Sequence, residues 1–154
     1  MPNWCANKLS VWGNAEQIKS ICNALFTQGE VDLSFQLDFE KIVSPHSHNR
    51  FSEDTEEWNR RHWGCKWNAD TVSLEITSES IICFFDTPGS PPQYWFSSLY
   101  EHFPSLELRL DYFEPGMQFV GTIYNIDGQS YNEEVSHNEI AEFAEQIFEF
   151  ESEI

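Results

Sequence analysis

Apolar residues recur in this chain with two different periods, and the order in which those periods follow one another limits the folds open to it. Trp4 to Trp12 reads as a strand ended by Gly13, after which Asn14 and Gln17 supply a capping-box start for a helix. Ile18, Ile21, Cys22, Leu25 and Phe26 fall on one face of that helix, and Gly29 stops it. Val72, Leu74 and Ile76 alternate with Ser73, Glu75 and Thr77, and after a turn near Ser78 to Ser80 a second run, Ile81 to Asp86, completes a β-hairpin pattern. Thr87-Pro88-Gly89-Ser90-Pro91-Pro92 breaks the strand and opens a second helix, with Ser90 as cap and Pro91 at the first position, where a missing N–H costs nothing. Trp95, Phe96, Leu99, Tyr100 and Phe103 form its apolar stripe, and Pro104 ends it. Leu106, Leu108, Leu110 and Tyr112 then alternate with Glu107, Arg109 and Asp111, the signature of a strand with one buried and one wet face.

Those elements run strand, helix, strand, strand, helix, strand. This is the βαββαβ order of a ferredoxin-like α+β domain, an antiparallel sheet with both helices on one face. Two stretches are additional. Residues from about 30 to 70 read as an insertion after the first helix, with a break at Ser44-Pro45 and a short polar helix from Glu53 to His62. After the turn Glu114-Pro115-Gly116, a strand from Met117 to Ile126 leads to a C-terminal extension, about 129 to 154. It holds a short strand near Ser130 to Val135 and an acidic helix from Ser136 to about Phe150, with a Ser136/Glu139 capping box and apolar Ile140, Phe143, Ala144, Ile147 and Phe148. The 154 residues make one domain on this reading, because a chain of this length buries roughly 68–70% of its unfolded surface around a single core.

Charge excludes more than the fold does. Twenty-six Asp and Glu against eight Lys and Arg give a formal net charge of −18. Such a field opposes approach to phosphate, so neither direct nucleic-acid binding nor attachment to an anionic membrane is expected. No stretch reaches the roughly 20 apolar residues of a membrane span, and Met1-Pro2-Asn3-Trp4 lacks the basic start and apolar block of a signal peptide, which predicts a cytosolic protein. Cys5, Cys22, Cys65 and Cys83 lie far apart with no CxxC pair and read as reduced, buried thiols.

Four ordered blocks resemble the YubB ferredoxin-like proteins of phages and conjugative plasmids. They are Met1-Pro2-Asn3-Trp4-Cys5-Ala6-Asn7-Lys8-Leu9 with Gly13, Trp63-Gly64-Cys65-Lys66-Trp67, Asp86-Thr87-Pro88 through Ser90-Pro91-Pro92, and Tyr112-Phe113-Glu114-Pro115-Gly116-Met117 with Phe119 and Gly121. Together they cover about residues 1 to 128. The resemblance implies the fold and a mobile-element setting within a bacterial host, where small accessory proteins counter host defences. It carries over no catalytic residue.

Candidate chemistry is thin. His46-x-His48 and His62-x-x-Cys65 are potential metal donors, but neither pair is completed by a second, so solvated loop histidines are the expectation and no metal or cofactor is predicted. Cys65 with His62 nearby lacks an oxyanion motif, and no Gly-rich phosphate loop is present, so no enzyme is predicted. Trp58, Trp63 and Trp67 crowd the insertion beside Arg60, Arg61 and Lys66; they either lock the insertion onto the sheet or, through Trp63 and Trp67, grip a partner.

The acidic surface remains. Residues 101 to 154 hold 13 acidic side chains and one base, Arg109. Eighteen charges match about 30 Å of duplex DNA, which carries one per about 1.7 Å of axis. A compact chain of this length has a radius of gyration of about 15 Å, so one side of it is long enough. Glu139, Glu142, Glu145, Glu149, Glu151 and Glu153, preceded by Glu133 and Glu134, form the candidate stripe for a protein partner, a nucleic-acid-binding defence complex whose cationic site the carboxylates would fill. The alternatives are a solubilising helix face, or a peptide- or small-ligand-binding module built on the Trp-rich insertion or the open face of the sheet.

Overall fold

In a computed structural model of the chain, residues 3–28, 35–44, 55–116, 119–126 and 129–134 are described. Six strands form one sheet: β1 (Trp4–Trp12), β4 (Asp70–Ile76), β5 (Ser80–Pro88), β6 (Glu107–Glu114), β7 (Phe119–Ile126) and β8 (Gln129–Glu134). Their spatial order is β4-β5-β1-β6-β7-β8, and every neighbouring pair is antiparallel. Within it, β1, β4, β5 and β6 with helices α1 (Ala15–Leu25) and α3 (Gln93–His102) make the expected βαββαβ unit, and β7 and β8 extend the sheet as a meander beyond β6.

Alternation along the strands sorts the two faces. Leu9 lies across from Cys83 on one side and Leu110 on the other, and all three are buried. They share one core with Val11, Ile81, Phe85 and Leu108, covered by Ile18, Ile21 and Leu25 of α1 and Trp95, Phe96 and Leu99 of α3. The other face carries Lys8, Ser10 and Trp12 of β1, Ile82, Phe84 and Asp86 of β5, Glu107, Arg109 and Asp111 of β6, and Thr122 and Tyr124 of β7.

The Asn14/Gln17 capping box forms as its residues predict, with Asn14 Oδ1 accepting from Gln17 N at 2.9 Å and Gln17 Oε1 accepting from Asn14 N at 2.8 Å. Gly13 before it is required by a close approach: a Cβ there would stand 2.6 Å from Leu106 Cδ2. The helix stops at Leu25, and Phe26 instead starts β2 (Phe26–Gln28), which pairs with β3 (Phe35–Leu37). Gly29 lies outside the described residues.

The start of α3 departs from expectation. The helix begins at Gln93, no side chain caps it, and Ser90 Oγ donates to Gly64 O at 2.6 Å instead. The cap comes from the insertion, where Trp63 O accepts from both Tyr94 N (3.2 Å) and Trp95 N (3.1 Å) and so satisfies two amides left open by the first turn. Gly64 makes this possible. Its φ of 101° lies where L side chains are strained, and a Cβ would meet Gln93 N at 3.0 Å.

The short helix of the insertion is α2 (Thr55–His62), and it reaches the core through Trp58. On the edge strand β4 the alternation is interrupted, because the register with β5 shifts between Thr71 and Ser73. Val72 is left 64% exposed and Ile76 45%, so the apolar half of the hairpin pattern is only partly covered.

Candidate functional site

The charge of the chain is divided unevenly along its sequence. Residues 1–66 hold nine acidic and seven basic side chains, a net of −2, whereas residues 67–154 hold 17 acidic and one basic, a net of −16. The first part supplies α1, α2 and the loops around them, where Lys19, Lys41, Arg60 and Arg61 are exposed. The second part supplies every strand of the large sheet except β1. On the outer hairpin, Asp70 lies directly across from Asp86, Glu75 lies across from Ile82, and Glu79 stands at the turn. Burial and the neighbouring Asp70 both raise the Asp86 carboxyl above the usual carboxylate range, as two like charges facing each other across a strand pair should.

The predicted site residues scatter. Glu133 and Glu134 lie in β8, opposite Thr122 and Gly121. Glu139, Glu142, Glu145, Glu149, Glu151 and Glu153 lie outside the described residues, as does the predicted acidic helix. Trp63 is corrected: it is 2% exposed, its ring sits 5.5 Å from Phe39 and 5.8 Å from Trp58, and its Nε1–H donates to Val43 O at 2.9 Å. It locks the insertion to the core and cannot touch a partner. Trp67 is 41% exposed, packs against the equally exposed Trp4 with ring centroids 6.1 Å apart, and donates to Glu56 Oε1 at 3.2 Å.

His62 and Cys65 do not form a reactive pair. The imidazole stacks on Trp58 at 4.3 Å, while the Cys65 thiol is buried and donates to Trp67 O at 3.3 Å. Burial pushes Cys65 up to about 12, where no thiolate is available near neutrality. Among the described residues no three His, Cys, Asp or Glu side chains are placed to hold a metal, and His46 and His48 are not among them.

A concave site that the residue pattern alone did not disclose lies at the end of β1, β6 and β7. Trp12, Glu107, Leu108, Arg109, Tyr124 and Asn125 line a hollow of about 150 Å³. Trp12 is 39% exposed and pairs across strands with Glu107, while Arg109 stands opposite Tyr124, which stacks on Tyr131 at 5.1 Å. Arg109 Nε donates to both oxygens of Asp111, at 3.0 and 3.1 Å, and Thr122 Oγ1 donates to the same carboxylate at 2.7 Å. Asp111, expected on the wet face, is therefore buried with its charge matched. Asn125 pairs with buried Leu108, so its side chain lies on the covered face of the sheet, where Nδ2 donates to Leu106 O at 3.1 Å and Oδ1 has no hydrogen-bond partner among the described residues. The sequence signal for this site was Arg109, the one base after Lys66.

The antiparallel sheet in the order β4-β5-β1-β6, with α1 and α3 packed on one face, defines a ferredoxin-like α+β domain. Residues 62–153 match the family described as "Ferredoxin-like domain in Api92-like protein", and the chain belongs to that family. Among solved structures it is similar to the crystal structure of the protein api92 from Yersinia pseudotuberculosis, at 10% identity and a TM-score of 0.68 over 88% of this chain and 99% of that one. That likeness is one of fold. No curated protein matches the chain. No helix among the described residues is long and apolar enough to cross a membrane.

Proposed function

We propose that this chain is a non-catalytic binding protein that presents its anionic sheet side to a cationic groove of a protein partner, one that otherwise holds nucleic acid. The observation that carries the reading is the segregation of charge along the chain, where residues 67–154 hold 17 acidic side chains against Arg109 alone, ten of the 17 within the described residues. Its density can be weighed on the outer hairpin. β4 spans about 20 Å at about 3.3 Å per residue. Duplex DNA would carry about 12 charges in that length and one strand about six. Asp70, Glu75, Glu79 and Asp86 supply four, so this edge alone is nearer to a single strand than to a duplex. The resemblance to YubB proteins of phages and plasmids supports an anti-defence role in the bacterial cytoplasm.

Capture of partners from a bacterial host lysate at 0.05 and 0.5 M salt tests the proposal. Binding should fall steeply at the higher salt, and the Asp70→Lys, Glu75→Lys, Glu79→Lys protein should lose it while keeping its fold. A complex indifferent to both changes would refute it. Charge reversal of Glu142, Glu145 and Glu149 in parallel asks whether the C-terminal carboxylates contribute.

A second reading, a module that holds a peptide or small ligand, is favoured by the hollow beside Trp12. Salt-insensitive binding lost on Trp12→Ala would select it.

A further inference from the structure

The outer rim of β4 is a strand edge whose hydrogen-bonding groups can be placed residue by residue. In the turn that joins it to β5, Thr77 N donates to Ser80 O at 2.9 Å, and on the other side of β5 Gly13 N donates to Glu79 O at 3.0 Å. Backbone groups of an antiparallel strand point alternately to one side and the other. Ser73, Glu75 and Thr77 therefore bond to β5, and the N–H and C=O groups of Leu74 and Ile76 point outward from the terminal strand of the sheet. β3 approaches the start of β4, where Leu37 N donates to Thr71 Oγ1 at 2.9 Å, whereas Ser73, Glu75 and Ile76 are exposed. Past the register shift at Val72, Ser73 to Ile76 pair regularly with Phe84 to Ile81.

Two unlike faces flank that rim. On the helix-covered side stand Leu74 and Ile76, in register with the buried Cys83 and Ile81, and Ile76 is 45% exposed. On the other side stand Ser73 and Glu75, with Asp70 and Asp86 facing each other beyond them. Residues 70–88, which build β4, β5 and their turn, hold four acidic side chains and no base. A strand laid along the rim places alternate side chains on these two faces. One set meets carboxylates and the other covers apolar side chains, so the segment that fits alternates basic and apolar residues. A second copy of β4 would bring its own carboxylates against these and be repelled.

We propose that the rim of β4 from Ser73 to Ile76 binds an extended basic segment of the partner as an added strand, held by the outward N–H and C=O groups of Leu74 and Ile76. This rests on the reading that the partner is cationic, and it gives the diffuse attraction a register.

The test is an NMR titration of the full ¹⁵N-labelled chain with the peptide acetyl-Lys-Val-Arg-Val-Lys-Val-amide, read at the backbone amides of β4. The Leu74 and Ile76 amides should shift saturably and exchange hydrogen more slowly, while those of Ser73 and Glu75, already bonded to β5, should change less. Two analogues, N-methylated at the valines or at the basic residues, keep the charge. One of them should bind about twofold to tenfold more weakly for each hydrogen bond lost. The valine analogue is the weaker if the segment runs antiparallel to β4 and the other if it runs parallel. The block peptide acetyl-Lys-Lys-Arg-Val-Val-Val-amide, with the same charge and no alternation, should bind less well than the parent, and Glu75→Gln should weaken the parent peptide by up to about fivefold.

Absence of a saturable shift at Leu74 and Ile76 would overturn the proposal. So would equal affinity for the parent and both methylated analogues, or for the parent and the block peptide. Shifts at these amides that follow the concentration of the chain alone would assign the rim to a second copy and overturn it as well. Failure here with salt-sensitive partner capture intact removes the added strand and leaves the proposed function standing. Strand addition with salt-insensitive capture does the reverse.

Discussion

Replacing Trp63 by alanine removes a ring that is 2% exposed, wedged at 5.5 Å from Phe39 and 5.8 Å from Trp58, together with the hydrogen bond from Nε1 to Val43 O. Deleting a buried aromatic side chain costs about 3–5 kcal/mol, the upper part when neighbours cannot collapse into the space. Collapse is hindered here because Phe39 is also held by Phe85 at 5.9 Å and Trp95 at 4.6 Å. An unfolding entropy of about 2.1 cal/mol/K per residue gives about 0.3 kcal/mol/K for a chain of this length, so the midpoint should fall by about 9–15 °C. Thermal and urea unfolding followed by circular dichroism measure this. Trp63→Phe, which keeps most of the ring but leaves Val43 O without its donor, should lose about 1–3 kcal/mol. Trp67→Ala, at an exposed position, should stay within about 1 kcal/mol of the parent. If Trp63→Ala and Trp67→Ala lose similar amounts, the assignment of one as core and the other as surface is wrong.

Three further outcomes are expected. At pH 8 a thiol reagent should modify partly exposed Cys22 first, with Cys5, Cys65 and Cys83 reacting only after denaturant is added; prompt labelling of all four would contradict their burial. Because Cys65 and Cys83 are both pushed up to about 12 by burial, their contribution to stability is complete below pH 9 and should drain away between pH 9 and 12, as the unfolded thiols ionise first. Urea midpoints across that range check it, and Cys83→Ala should flatten the alkaline fall. Asp70→Asn removes the charge that faces Asp86, so the Asp86 carboxyl should titrate at lower pH by NMR and the protein should become slightly more stable at pH 7; an unmoved titration would mean that desolvation alone raises it.

Local periodicity made the fold legible. The alternation of Leu106, Leu108, Leu110 and Tyr112, and the helical spacing of Ile18, Ile21 and Leu25, are direct images of a two-sided sheet and an amphipathic helix, and the Asn14/Gln17 cap is a four-residue pattern. What failed to show were facts that depend on distant pieces of chain. Ser90 looks like a cap because of its own neighbours, yet Trp63 O, some thirty residues earlier, takes that role. Val72 and Ile76 alternate as core residues do, but an edge position and a shifted register leave them exposed. Trp63 and Trp67 are four residues apart with the same side chain, and only tertiary packing assigns one inside and one outside. The hollow beside Trp12 escaped for the same reason: its residues come from three strands whose alignment no local signal fixes.

The register shift at Val72 also bears on how the protein behaves at high concentration. β4 closes one side of the sheet, and a straight outer strand with exposed Val72 and Ile76 would be a template for adding another molecule's strand. The shift disturbs the regular spacing of its outward amides, and Asp70 and Glu75 place fixed negative charge along the same rim. Self-association through this rim is thereby opposed twice, by geometry and by repulsion, and a variant that deletes Val72 and neutralises both carboxylates should be the one that forms fibres.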